Sequence, residues 1–140
     1  MRPSERTDPC RIVLADDHED LLREIRALLA REFEILAAVT DGKALIAAAQ
    51  GGRPDAVISD IRMPGVNGIE ACRRIIREGW CGSAVILTMY DEDQLVKQAL
   101  NAGIRGYVLK LDAGEELIPA VKAVLGGSTY FSRGVRRKPF

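Results

Sequence analysis

The sequence predicts an α/β domain, a doubly wound parallel sheet of five strands with five helices. Two observations carry that prediction. Five short apolar runs recur along the chain, and each is followed by a stretch whose apolar residues fall at helical spacing. The runs are aliphatic or β-branched without polar alternation, as expected of parallel strands covered on both faces. Strand, helix, strand in repetition implies right-handed crossovers with helices on both sides of the sheet.

The first run, Ile12-Val13-Leu14-Ala15, leads into a stripe of Leu21, Ile25, Leu28 and Leu29. The second covers residues 33–39 and precedes Leu45, Ile46 and Ala49. Ala56-Val57-Ile58-Ser59 is the third, ahead of Ile69, Cys72, Ile75 and Ile76. The fourth, Ala84-Val85-Ile86-Leu87-Thr88, is followed by Leu95, Val96, Ala99 and Leu100. Tyr107-Val108-Leu109 is the last, before Leu117, Val121, Val124 and Leu125. Asp41 and Asp91 precede helical runs as caps do, and Asp112-Ala113-Gly114-Glu115 has the spacing of a capping box with Asp in the cap role. Pro119 falls inside the fifth helix, where it removes a backbone hydrogen bond. Residues 1–10 read as a polar arm, 11–127 as one domain, and 128–140 as a tail or the start of an interdomain linker.

Composition sets bounds on function. A length of 140 residues suits a single core, and 47% hydrophobic with 29% charged residues describes a globular rather than a disordered chain. Twenty basic residues balance twenty acidic ones, which argues against a whole-surface nucleic-acid or membrane binder. Arg133, Arg136, Arg137 and Lys138 read as charges of a solvated linker. No apolar run approaches the ~18 residues of a membrane-spanning helix, and residues 1–10 lack a signal-peptide core. Cys10, Cys72 and Cys81 are odd in number, lack C-x-x-C spacing and have only His18 to help them, so neither zinc nor a disulfide framework is expected and a reducing cytoplasm is. Cys72 reads as a small helix-core residue and Cys81 as a loop residue. His18-Glu19 opens as H-E-x-x-H does, but Leu22 stands where the second histidine belongs. No glycine-rich phosphate loop is present.

The polar residues that matter sit at strand ends. Asp16 and Asp17 follow the first strand, Asp60 the third, Thr88 closes the fourth and Lys110 follows the fifth. These are carboxyl ends, the edge where open parallel sheets bind ligands. If the strand order is 2-1-3-4-5, strands one and three are neighbours and the three acids meet in one crevice. Such a cluster needs protonation or a cation, and hard oxygen donors suit Mg²⁺. A lysine opposite would hold a second anion, and a threonine hydroxyl would add a hydrogen bond. Together they describe a site for placing a phosphoryl group on a carboxylate. Asp60, which leads the loop Ile61-Arg62-Met63-Pro64-Gly65, is the better nucleophile candidate. Singly, each residue also has a plain reading: helix cap, strand residue or solvated charge.

These residues resemble the receiver domains of two-component response regulators. The resemblance covers residues 11–132 and rests on Leu14-Ala15-Asp16-Asp17-His18, on Asp60-Ile61-Arg62-Met63-Pro64-Gly65-Val66-Asn67-Gly68, on Ile86-Leu87-Thr88 and on Gly106-Tyr107-Val108-Leu109-Lys110. It implies the flavodoxin-like order 2-1-3-4-5. Within the family the chain is similar to the LuxR/NarL-type subgroup, on Asp-Asp-His, on Leu111 after Lys110, and on Gly126-Gly127-Ser128-Thr129-Tyr130-Phe131-Ser132. The resemblance implies that Asp60 accepts phosphate from a sensor histidine kinase. Asp17, Asp60 and the backbone carbonyl of Arg62 would ligate Mg²⁺ or Mn²⁺, with Asp16 acting mainly through water. Lys110 and Thr88 would bind the phosphoryl group, and Tyr107 would rotate inward behind it. Arg62 and Tyr90 would border the path of attacking water and tune dephosphorylation. The face of the fourth helix, fifth strand and fifth helix would switch a transcriptional output, with homodimerisation on phosphorylation. DNA binding is expected of a full-length form carrying a helix-turn-helix output domain, not of these 140 residues, and the expected compartment is the cytoplasm.

Two other readings compete. A phosphatase or phosphotransferase with an Asp nucleophile usually wants a second acid two residues on, where this chain has Arg62. A phosphate-independent pseudo-receiver would be an interaction module only, and the joint presence of Asp16, Asp17, Asp60, Thr88 and Lys110 argues against it.

Overall fold

Each apolar run forms a strand and each amphipathic stretch a helix in the computed structural model, which describes residues 9–136. In chain order the elements begin with β1 (Arg11–Ala15), α1 (Glu19–Leu29), β2 (Glu34–Val39) and α2 (Gly42–Gly52). There follow β3 (Ala56–Ser59), α3 (Gly68–Arg77), β4 (Ala84–Thr88) and α4 (Asp93–Asn101). The chain continues through β5 (Gly106–Leu109), a 3₁₀ turn (Lys110–Asp112), α5 (Ala113–Leu125), β6 (Tyr130–Phe131) and α6 (Arg133–Arg136). The sheet order is β2-β1-β3-β4-β5-β6, with every pairing parallel.

Side-chain alternation along the strands sorts the core into two layers. Val13, Ala15, Val57, Ile86 and Tyr107 face a layer that includes Leu45 of α2, Ile69 and Ile75 of α3, and Val96 of α4. Ile12, Leu14, Ile58, Val85, Leu87 and Val108 face Leu22, Ile25 and Leu29 of α1 and Leu117, Val121 and Val124 of α5. Burial of this many aliphatic side chains is the principal stabilising force. β2 departs from the continuous-burial expectation. It is an edge strand, half-exposed, with Leu36 on the surface.

Three expectations are corrected. The sheet has six strands rather than five, because residues 128–136 do not trail away as a tail. Tyr130 and Phe131 pair with Gly106 and Tyr107, and Val135 is fully buried. The remainder of the presumed tail, residues 137–140, and the first eight residues of the presumed arm lie outside the described residues. Asp41 does cap α2, accepting from Ala44 N–H at 2.8 Å, but Asp91 lies one residue short of the α4 cap, Glu92, which itself makes no side-chain cap bond. Asp112 has helical backbone and caps nothing through its side chain, since that carboxylate is turned toward the C-terminal segment. An unanticipated cap is Asn67, which accepts from Glu70 N–H at 3.0 Å and starts α3. Pro119 lies mid-helix, and α5 continues past it to Leu125.

Cys72 and Cys81 are free thiols. Cys72 packs in α3 as expected, and burial pushes its thiol up to about 12. Cys81, in the loop before β4, is also buried and its thiol is likewise raised, chiefly by burial. Among the described residues no helix is long and apolar enough to cross a membrane.

Candidate functional site

Backbone pairing brings the acids together. β1 and β3 are adjacent, Ala15 stands beside Ser59, and Asp60 N–H donates to Ala15 O at 3.0 Å. The residues that leave these strands, Asp16 and Asp60, are therefore neighbours, and both are buried, at 2% and 5% exposure. β5 lies two strands from β3, and Lys110 reaches back across β4's end to both acids. Its Nζ is 2.8 Å from Asp60 Oδ2 and 2.9 Å from Asp16 Oδ2. Burial alone would pull the lysine's pKa down; the hydrogen bond to Asp60 and the negative charges of Asp60 and Asp16 outweigh it and raise it.

The remaining oxygens have different fates. Asp60 Oδ1 accepts from Ile61 N–H at 2.7 Å, and Asp16 Oδ1 accepts from His18 N–H at 2.9 Å. Asp16 Oδ2 lies within ion-pair distance of Lys110, yet no donor is aligned on it. A buried carboxylate oxygen without an aligned hydrogen bond is costly, and among the described residues it is the one buried side-chain oxygen or nitrogen left so. Asp17 is the more exposed acid and faces an open cleft of about 560 Å³ that it lines with His18, Glu19, Asp20, Thr40 and Pro64.

Asp16, Asp17, His18 and Asp60 each offer a donor atom within 4.8 Å of the others. An orphaned buried oxygen among three carboxylates is a donor set that fits a hard divalent cation such as Mg²⁺. His18 is the member the sequence reading missed. In the sequence it stands out as part of the Asp-Asp-His motif and not as a ligand, whereas its Nδ1 lies 3.3 Å from Asp17 Oδ1 and 3.5 Å from Asp16 Oδ1. The adjacent Asp-Asp-His run was the available signal.

Thr88, Tyr90, Tyr107 and Arg62 form an adjoining group. Thr88 is fully buried at the end of β4, and its Oγ1 accepts from Tyr90 N–H at 3.4 Å. Tyr107 is already inside, 1% exposed, and its hydroxyl donates to Tyr90 O at 2.5 Å. Burial pushes the Tyr107 phenol up, helped by the charges of Glu92, Asp91 and Asp60, so it remains a donor at neutral pH. The Arg62 guanidinium stacks on the Tyr90 ring, 4.3 Å from its centroid. Residues two places beyond Asp60 and Thr88 therefore touch each other.

Asp60 is held from a further side. α3 begins so close to it that a Cβ on Gly68 would sit 1.8 Å from Asp60 O and 2.7 Å from Ser59 Oγ. Only glycine allows that approach.

Comparison with known proteins agrees with this architecture. The pattern of the response regulator receiver domain matches residues 12–122. The transcriptional regulatory protein DegU of Brevibacillus brevis is 36% identical over 121 residues, which cover 85% of this chain and 51% of that protein. The DNA-binding transcriptional activator EvgA of Escherichia coli K12 is 31% identical over 126 residues, 89% of this chain and 62% of its own length. The chain thus spans between half and two-thirds of these relatives. Among solved structures, a two-component response regulator of the LuxR family from an Aurantimonas species superposes with a TM-score of 0.86 at 31% identity, covering 93% of this chain and 94% of that one. The isolated receiver domain of RcsB from Salmonella enterica serovar Typhimurium, solved with a beryllofluoride phosphomimetic, gives 0.81 at 28% identity, covering 93% and 98%. Fold, strand-end acids and family match lead to one conclusion: the chain belongs to the receiver domains of two-component response regulators, among relatives of the LuxR/NarL type.

Proposed function

We propose that Asp60 is the phosphoacceptor of this receiver domain and that a sensor histidine kinase is the donor. The observation that supports this most directly is the Lys110 ammonium within 2.9 Å of both Asp60 and Asp16 at the carboxyl edge of the sheet. In the transfer, an oxygen of the Asp60 carboxylate forms a bond to phosphorus while the bond from phosphorus to the phosphohistidine nitrogen breaks. The imidazole leaves as the neutral base after taking up a proton. Asp60 then carries about 1.5 to 2 negative charges on its phosphoryl oxygens. Lys110 neutralises part of that charge, and the Thr88 hydroxyl, freed from Tyr90 N–H, donates to a phosphoryl oxygen. Mg²⁺ or Mn²⁺, held by Asp17, Asp60 and the Arg62 carbonyl with Asp16 acting through water, would supply charge neutralisation between the acids and the incoming group.

The consequence is a shift between conformers of the α4–β5–α5 face. Tyr107, on β5, is tied to Tyr90 O in the loop after β4, so any movement of Thr88 toward the phosphoryl group draws on the same loop. A cytoplasmic transcriptional output, homodimerisation on phosphorylation and DNA binding by a longer form carrying an output domain are the corresponding expectations. This domain is a signalling acceptor with self-phosphorylation and self-dephosphorylation chemistry, not an enzyme with turnover.

Incubation with Mg²⁺ and acetyl phosphate or phosphoramidate, read by intact mass, tests the reading. One base-labile phosphoryl adduct is expected, lost in Asp60→Asn. No adduct from either donor would leave a pseudo-receiver, and turnover of a small phosphoester would point to a phosphatase. The Arg62–Tyr90 stack adds a second expectation. By covering the approach of water it slows loss of the phosphoryl group, so Tyr90→Ala should shorten the lifetime of phospho-Asp60 about tenfold, equivalent to about 1.4 kcal/mol of barrier. An unchanged decay of the adduct would remove that role from Tyr90.

A further inference from the structure

The C-terminal segment makes more contacts with the site than a linker needs. Ser132, immediately after β6, is fully buried, and each of its polar groups is used. Its N–H donates to Tyr107 O at 3.0 Å, continuing the ladder with β5. Its carbonyl accepts from Val135 and Arg136 N–H at 3.0 Å each and so starts α6. Because the carbonyl has turned away, the next rung of the ladder is made by the side chain: Leu109 N–H donates to Ser132 Oγ at 3.0 Å. The same hydroxyl donates to Asp112 Oδ2 at 2.7 Å.

Leu109 and Asp112 bracket Lys110. One hydroxyl therefore grips the backbone before the lysine and the side chain two residues after it, fixing the start of the 3₁₀ turn. Gly134 N–H adds a bond to the same Asp112 oxygen at 2.9 Å. Val135, in the apolar layer that also contains Tyr107, anchors the segment from below. The fit is close. A Cβ on Gly134 would lie 2.5 Å from Leu109 Cδ1 and 3.1 Å from Asp112 Oδ2.

We propose that Ser132 is a positioning residue for Lys110, so that the segment after α5 is part of the phosphoryl-acceptor machinery. The inference rests on the reading of Asp60 and Lys110 given above. A lysine stem has many rotamers, and where its ammonium arrives depends on where its Cα is held. Without the hydroxyl, Leu109 N–H loses its partner and Asp112 one of its donors, and a buried donor left open pulls the backbone toward another arrangement. The ammonium then no longer meets Asp16 and Asp60 together.

A hydroxyl that served stability alone would act independently of Lys110, and a double-mutant cycle separates the two roles. Beryllofluoride affinity in Mg²⁺ and the rate of phosphorylation by acetyl phosphate are measured for the wild type, Ser132→Ala, Lys110→Ala and the double variant. Urea denaturation of each checks folding. Ser132→Ala is expected to weaken beryllofluoride binding and slow phosphorylation about fivefold, the lower end of site-to-site coupling. Ser132→Thr, which keeps the hydroxyl, is expected to stay near wild type. In the Lys110→Ala background the serine change should add nothing to the phosphorylation rate. Equal loss in both backgrounds, or no loss in the wild-type background, overturns the proposal. Failure of the wild type to bind beryllofluoride overturns the Asp60 reading instead, and the role of Ser132 falls with it.

Discussion

Replacing Lys110 by alanine is expected to destabilise the fold by about 3–5 kcal/mol in metal-free buffer at neutral pH, the cost of removing one partner from a buried ion pair. Lys110 is the cation within 2.9 Å of both Asp16 and Asp60, and each of those carboxylates is more than nine-tenths buried. Its loss leaves two acids facing one another with little water to screen them. The same logic predicts rescue: Asp16→Asn in the Lys110→Ala background should recover most of the loss, since the repulsion needs both charges. Urea midpoints of the four proteins decide it, and additive effects would show that the lysine does not hold the pair. The lysine also sets a pH dependence. Its folded pKa is raised above the unfolded value, so its contribution is complete below the ordinary lysine range and is lost as pH rises from there through the raised value. Wild type should therefore lose stability at strongly alkaline pH, while Lys110→Ala should show a flatter profile there.

The second large effect is expected at Gly68. In Gly68→Ala the new methyl would begin 1.8 Å from Asp60 O, a contact no real Cβ makes. Backbone must move, because the nearest atom is the main-chain oxygen of Asp60 and not the end of a flexible side chain. Overpacking of this kind costs about 1–3 kcal/mol. The disproportionate effect is on chemistry, since the displaced carbonyl belongs to the acceptor itself. A misplacement of about 1 Å at a reacting group can cost about 10²-fold in rate. Phosphorylation by acetyl phosphate should thus fall far more than stability does, in contrast to a comparable substitution at the open Gly114, where an added Cβ meets nothing within 4 Å. Equal phosphorylation rates in Gly68→Ala and Gly114→Ala would show that α3 does not constrain Asp60.

Much of this site can be read from one dimension because a parallel sheet turns sequence position into spatial position. Wherever an apolar run stops, the next polar residue stands at the ligand edge, and that rule located Asp16, Asp60, Thr88 and Lys110. Their partners were less legible. That Lys110 pairs with Asp16 as well as Asp60 depends on side-chain reach across β4. That Tyr107 donates to Tyr90 O depends on how the β4–α4 loop folds. Asp112 has the local signature of a cap, yet it is drawn away by Ser132 and Gly134, twenty and more residues downstream. β6 escaped notice for a simpler reason. A strand of two residues contains no period, and α6 at four residues contains barely one turn.

The docking of Val135 has a consequence for how the domain is made. Synthesis proceeds from the N-terminus, and β1, which lies between β2 and β3 in the sheet, can find both while the rest is still being translated. The layer around Tyr107 waits longer, because Val135, fully buried there, follows every strand of the sheet in chain order. A grafting boundary placed at residue 127 would cut through the sheet, and a chimera joined there would inherit an unsealed β5 edge. The junction that respects the molecule lies beyond α6. Until that point has been synthesised, the side of the sheet that holds Lys110 lacks its last strand.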